Sequence, residues 1–189
     1  NEDPTPASRS FTVTSPPPVD TEAPTTTILT GPSGIIATNS AAFTWTGSDN
    51  VTPTPNLVYA FRLDPLEPVF SAPSSATTKT YLGLVSGTSY TFFVKATDAA
   101  GNVGTSASRS FTVDTTAPDT SITGAVTTGS SATLTWTGVD NVTPTGSLVY
   151  AFRLDPVEST FSTFGGATSK TYDLQNGIYT FFVKARDQA

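Results

Sequence analysis

Alternation of apolar and polar positions dominates the chain. Tyr90, Phe92, Val94 and Ala96 alternate with Thr91, Phe93, Lys95 and Thr97. Leu57, Tyr59, Phe61 and Leu63 alternate with Val58, Ala60 and Arg62. Neighbouring side chains of a strand point to opposite faces, so a period of two marks strands with one buried face. Phe43 and Trp45 share the face of another strand, and Phe111 and Val113 that of a further one. Gly, Pro, Asn and Asp separate these short runs, which predicts an all-β chain built as a two-sheet sandwich.

The pattern occurs twice. FTWTGSDNVTPTPNLVYAFRLDP (43–65) matches LTWTGVDNVTPTGSLVYAFRLDP (134–156), and YTFFVKATD (90–98) matches YTFFVKARD (179–187). DTEAPTTTI (20–28) matches DTTAPDTSI (114–122). Two homologous domains are therefore expected, 20–114 and 115–189, preceded by a strand-like segment and Pro-rich linker over 1–19. The linker TSPPPVDTEAP is expected to be extended and stiff.

The second copy ends at Ala189, where the first continues through GNVGTSASRSFTVD. The heptapeptide ASRSFTV of residues 107–113 also stands at 7–13. Asp98 precedes Ser108 by ten positions, and Asp187 would precede Ser8 by the same ten if Ala189 were joined to Asn1. Residues 7–13 are thus expected to act as the last strand of a second-type domain in another copy, with Ala7, Arg9, Phe11 and Val13 as the inter-copy strand, the copies being either separate chains or successive units of one long tandem protein. Burying Phe11 and Val13 would contribute roughly 1.5–3 kcal/mol each before ordering costs. Strand donation of this kind is a known recognition mode, and a head-to-tail contact that does not close makes a filament.

Trp45 and Trp136 on the second strand, Tyr59 and Tyr150 on the third, and LVSGTSYTFFVKATDAAGN (84–102) give the chain its family likeness. In these residues it resembles fibronectin type III and bacterial immunoglobulin-like repeats of surface proteins. The resemblance implies two tandem sandwiches. It also implies that each domain's first strand starts at the pole carrying the loops after its second and sixth strands.

Composition narrows the chemistry. There is no Cys and no His, so neither a Ser-His-Asp triad nor a Cys/His zinc site can be built. A net charge of -6 disfavours binding to nucleic-acid phosphates. No catalytic residue is expected: Asp64 and Glu67 lie beside Pro65 and Pro68 in a turn, and Arg62–Asp64 and Arg153–Asp155 read as surface ion pairs. Both Trp fall at core-type positions, which disfavours a carbohydrate-binding face. Phe93 and Phe182 point away from the core and are expected to pack laterally against neighbours.

Two acidic loop sets are candidates for calcium, a hard cation that takes oxygen ligands. In the first domain they are Asp20, Glu22, Asp49, Asn50 and Asp98; in the second, Asp114, Asp140, Asn141 and Asp187. Asn50-Val51-Thr52 and Asn141-Val142-Thr143 are also N-glycosylation sequons. The expectation from sequence is a structural repeat unit of an extracellular filament or surface stalk, with further copies of itself as partner. The alternative is a spacer or binding module of a secreted enzyme or adhesin.

Overall fold

The computed structural model describes residues 2, 4, 5, 7–15 and 19–189. Pro16, Pro17 and Pro18, on which the stiff-linker expectation rests, lie outside the described residues.

The alternating runs become strands. The first sandwich contains β1 (Thr25–Thr30), β2 (Gly34–Ile36), β3 (Ala41–Ser48), β4 (Val58–Asp64), β5 (Thr78–Tyr81), β6 (Ser89–Thr97) and β7 (Ala107–Val113). One sheet has the order β1-β3-β5 and the other β2-β7-β6-β4. All pairings are antiparallel except β2 with β7. The inward residues meet between the sheets: Phe43, Trp45, Tyr59, Leu63, Phe92, Val94, Phe111 and Val113 are each 2% exposed or less. Phe43 stacks on Phe92 at 4.1 Å between ring centroids, and Tyr90 stacks on Phe111 at 5.6 Å. Gly31 lets the chain leave β1 for β2. Its φ is +158°, and a Cβ there would lie 2.4 Å from the Phe43 ring.

The second sandwich contains β8 (Asp119–Thr128), β9 (Ser131–Val139), β10 (Val149–Asp155), β11 (Ser169–Asp173) and β12 (Thr180–Arg186). Its sheets are β11-β9-β8 and β10-β12. Among the described residues no strand pairs with the second edge of β12, and no counterpart of β2 forms. In the first sandwich β2 is held by parallel pairing to β7. In the second, β8 turns directly into β9 as a hairpin closing at Thr128 and Ser131.

The core thins accordingly. Leu134, Trp136, Leu148, Tyr150, Leu154 and Tyr172 are buried, while Tyr179, Phe181 and Val183 are only partly so. Their counterparts Tyr90, Phe92 and Val94 are 4%, 0% and 0% exposed. Residues 7–13, expected as a strand, form no strand within this chain, and Phe11 and Val13 are both 83% exposed.

On the outer faces the arginines cover the aromatics. The Arg62 guanidinium lies 4.4 Å from the Phe93 ring centre, and Arg153 lies 4.4 Å from that of Phe182. Each ring is thus covered on one face by a cation–π contact, while Phe182 remains 37% exposed. Arg62 also pairs with Asp64 at 3.4 Å, and Arg153 with Asp155.

Glu67 serves a turn, not a reaction. Its Oε2 accepts the Leu63 N–H at 2.9 Å and the Tyr81 hydroxyl at 2.9 Å. Glu158 repeats this with Leu154 at 2.8 Å and Tyr172 at 3.1 Å. Burial, and then the Glu67 carboxylate beside it, push the Tyr81 phenol well above its usual pKa. Glu67→Ala leaves two donors unpaired and is expected to cost about 1–3 kcal/mol in denaturant unfolding, whereas Asp64→Ala should cost under about 1 kcal/mol. Equal costs for the two would mean that Glu67 is no more than a surface charge.

Candidate functional site

The carboxylates converge at one pole of each sandwich. Asp20 lies just before β1, Asp49 in the loop after β3 and Asp98 at the end of β6. One carboxylate oxygen from each lies within 4.8 Å of the other two. Asp114, Asp140 and Asp187 form the same arrangement in the second sandwich. Because Asp114 follows β7 directly, this second triad stands where the two modules join.

Local turn chemistry fixes these side chains. Asp49 Oδ2 accepts the N–H groups of Val51 at 3.1 Å and Thr52 at 2.8 Å. Asp140 Oδ2 accepts those of Val142 at 2.9 Å and Thr143 at 2.7 Å. Such Asx turns spend one oxygen on the backbone and leave the other directed elsewhere. Asp20 and Asp114 likewise use Oδ1 for the N–H two residues on, in Glu22 at 3.2 Å and Thr116 at 3.3 Å. The remaining oxygens, Asp20 Oδ2, Asp114 Oδ2 and Asp140 Oδ1, are buried with no hydrogen-bond partner among the described residues.

Asn102 holds the third carboxylate of the first triad. Asn102 donates its side-chain amide to Asp98 Oδ2 at 2.8 Å and to the Asp20 carbonyl at 3.2 Å, and its N–H to Asp98 Oδ1 at 2.8 Å. Burial works against the Asp98 charge, yet the bonds from Asn102, Gly101 and Ala100 outweigh it and hold the carboxyl below its ordinary pKa. Asp114 goes the other way. Burial raises its pKa, the Thr116 N–H opposes this, and the charges of Asp140 and Asp187 raise it further. Asn102 was not among the residues singled out from sequence, although its place four residues after Asp98 in DAAGN is the signal that could have found it.

Glu22, Asn50 and Asn141, the other expected ligands, make contacts of their own. Glu22 accepts the side-chain amide of Asn50. Asn141 donates to the Ser86 hydroxyl at 3.3 Å, across the junction. Asn50 and Asn141 are exposed, but the sequon threonines are not: Thr52 and Thr143 are 5% and 1% exposed. Their hydroxyls accept the N–H groups of Ala99 and Gln188, both at 3.2 Å.

The second feature is the open side of the second sandwich. A groove of about 450 Å³ runs there between Ile122, Ala125, Leu134, Leu154, Tyr179 and Phe181. Leu134 and Tyr179 in its lining are the repeat counterparts of Phe43 and Tyr90, against which Phe111 packs in the first module. The two Trp lie at 1% and 2% exposure, so neither offers a platform for a sugar ring.

No family model matches the chain. Chitinase A1 of Niallia circulans is 38% identical over 187 residues, taking in 92% of this chain and 25% of that protein. The chain thus spans about a quarter of the length of this curated relative. Among solved structures, the Clostridium thermocellum CbhA fibronectin(III)-like modules align at 15% identity over 87% of this chain and 86% of theirs, with a TM-score of 0.43. The chicken CNTN1 FN1–FN3 domains align at 17% identity over 88% of this chain and 63% of theirs, with a TM-score of 0.41.

The chitinase match overturns the expected role as a unit of a filament or stalk assembled head to tail. A stretch like this one recurs, colinear over nearly its whole length, as a minor part of a much longer covalent chain. Peptide bonds, not borrowed strands, connect it there to what surrounds it.

Proposed function

We propose that the chain, a tandem of fibronectin type III-like modules, serves as a non-catalytic spacer within a secreted enzyme acting on chitin or a related polysaccharide. The observation that carries this reading is the 38% identity to chitinase A1 over 187 residues. Burial of both Trp and the absence of His and Cys support a spacing role over sugar binding or catalysis. The setting is extracellular, and module boundaries fall at 20–114 and 115–189.

The test compares three fusions of one chitinase catalytic domain with one chitin-binding domain. They are joined by this pair, by a Gly-Ser linker of equal contour length, or directly. The pair is expected to raise hydrolysis of insoluble chitin over the Gly-Ser linker while leaving hydrolysis of a soluble chitooligosaccharide unchanged. The 189-residue chain alone is expected to stay in the supernatant with chitin and to cleave nothing. Cosedimentation with chitin would replace the spacer by a binding module; equal rates for all three fusions would remove the spacing role.

For the fold, we propose that a strand of the Ala-Ser-Arg-Ser-Phe-Thr-Val type completes the open edge of the second module. Residues 107–113 do this for the first module, and Ala7, Arg9, Phe11 and Val13 carry the same side chains.

A further inference from the structure

The junction triad gathers three carboxylates, two of which keep a buried oxygen without a hydrogen-bond partner among the described residues. Asp114 is 1% exposed, and its Oδ2 has no hydrogen-bond partner among the described residues. Asp140 Oδ1, in the same cluster, is equally buried and equally unpartnered. An uncompensated carboxylate away from water is costly, and three together are more so. In the first triad the Asn102 amide relieves that cost in part; in the second, Asp187 Oδ1 accepts the Ala189 N–H at 3.1 Å.

From this we infer that Asp114, Asp140 and Asp187 bind a calcium ion that clamps the first module to the second. Two oxygens bound to one calcium at about 2.4 Å reach at most about 4.8 Å apart. The three carboxylates meet that limit. They come from three separate loops, an irregular donor set of hard oxygens. Calcium accepts such a set, whereas magnesium demands a near-ideal octahedron at about 2.1 Å and gives up its water reluctantly. Two of the ligands belong to the second module, while Asp114 directly follows the last strand of the first, with its N–H bonded to the Ile36 carbonyl at 2.9 Å. The ion would therefore bridge parts of both modules. This site is independent of the spacer reading.

Calorimetric titration of the chelator-stripped 189-residue chain with calcium chloride tests the site. Asp114→Asn, which keeps the shape and the Thr116 contact, is expected to bind one calcium fewer per chain than the wild type. Asp140→Asn should do the same, which guards against a fault peculiar to one variant. Calcium at millimolar concentration should also raise the melting temperature by about 5–10 °C over chelator. The proposal fails if the wild type binds no calcium, or if both variants bind as many ions as the wild type. It also fails if magnesium at matched ionic strength gives the same thermal shift, which would indicate charge screening without a site.

Discussion

Replacing Phe111 with alanine is expected to destabilise the first module by about 3–5 kcal/mol and to leave the second unchanged. Phe111 is 2% exposed. Its ring stacks on Tyr90 and lies 6.0 Å from Phe43, so truncation opens a cavity walled by rigid rings that cannot collapse into it. It sits on β7, the strand that holds both β6 and β2, so looser packing there also loosens the crossover at Gly31. Each module has one Trp, which makes the effect separable. In a Trp136→Phe background the remaining fluorescence reports the first module, and in a Trp45→Phe background it reports the second. Denaturant midpoints should fall only for the Trp45 reporter. A cost below about 1 kcal/mol, or a shift in both reporters, would show that the last strand is not what closes the first core.

The complementary experiment adds what the second module lacks. A peptide covering residues 103–114 is expected to bind the free edge of β12 and raise the midpoint of the Trp136 transition. At 100 times its Kd the gain is about 2.7 kcal/mol, by mass action alone. The free edge offers an unpaired ladder of N–H and C=O groups. The groove between Ile122, Leu154 and Phe181 offers the apolar floor for a Phe and a Val two positions apart. The same peptide with Ser in place of that Phe and that Val keeps the ladder and loses the floor, and should bind at least tenfold more weakly. Equal stabilisation by both peptides, or a shift of the Trp45 transition, would refute the docking mode.

Much of this architecture can be read from letters. The period-two runs locate β4, β6 and β7, because burial on one face imposes it. The internal repeat pairs Asp20 with Asp114, Asp49 with Asp140 and Asp98 with Asp187, so one triad predicts the other. What escaped was decided by contacts distant in sequence. The segment from Ile122 to Trp136 is three residues shorter than that from Ile28 to Trp45. That is the trace of the missing crossover, but it acquires meaning only once β2 is seen to depend on β7. Tyr81 finds Glu67 fourteen residues away across a turn, and no local pattern announces it. Glu22 and Asn50 were read as ligands because they sit among acids. Their mutual hydrogen bond shows that proximity in a loop does not set the direction of a side chain. Arg62 over Phe93 makes the same point for an exposed-looking aromatic.

Ser86, at the corner before β6, meets both modules. Its hydroxyl accepts the Thr115 N–H at 3.0 Å, pairs with the Thr116 hydroxyl at 3.0 Å and receives the Asn141 amide at 3.3 Å. Corner, connector and opposing loop are thereby tied at a single atom, which restrains the angle between them. A body carried beyond such a joint sweeps a narrow cone, where a loose tether would let it sweep a sphere. Removing the unproductive directions raises its effective concentration over the patch of surface the cone faces. On the proposed spacer reading, the contacts gathered at this one serine would bias which part of a solid substrate the far end of the pair can touch.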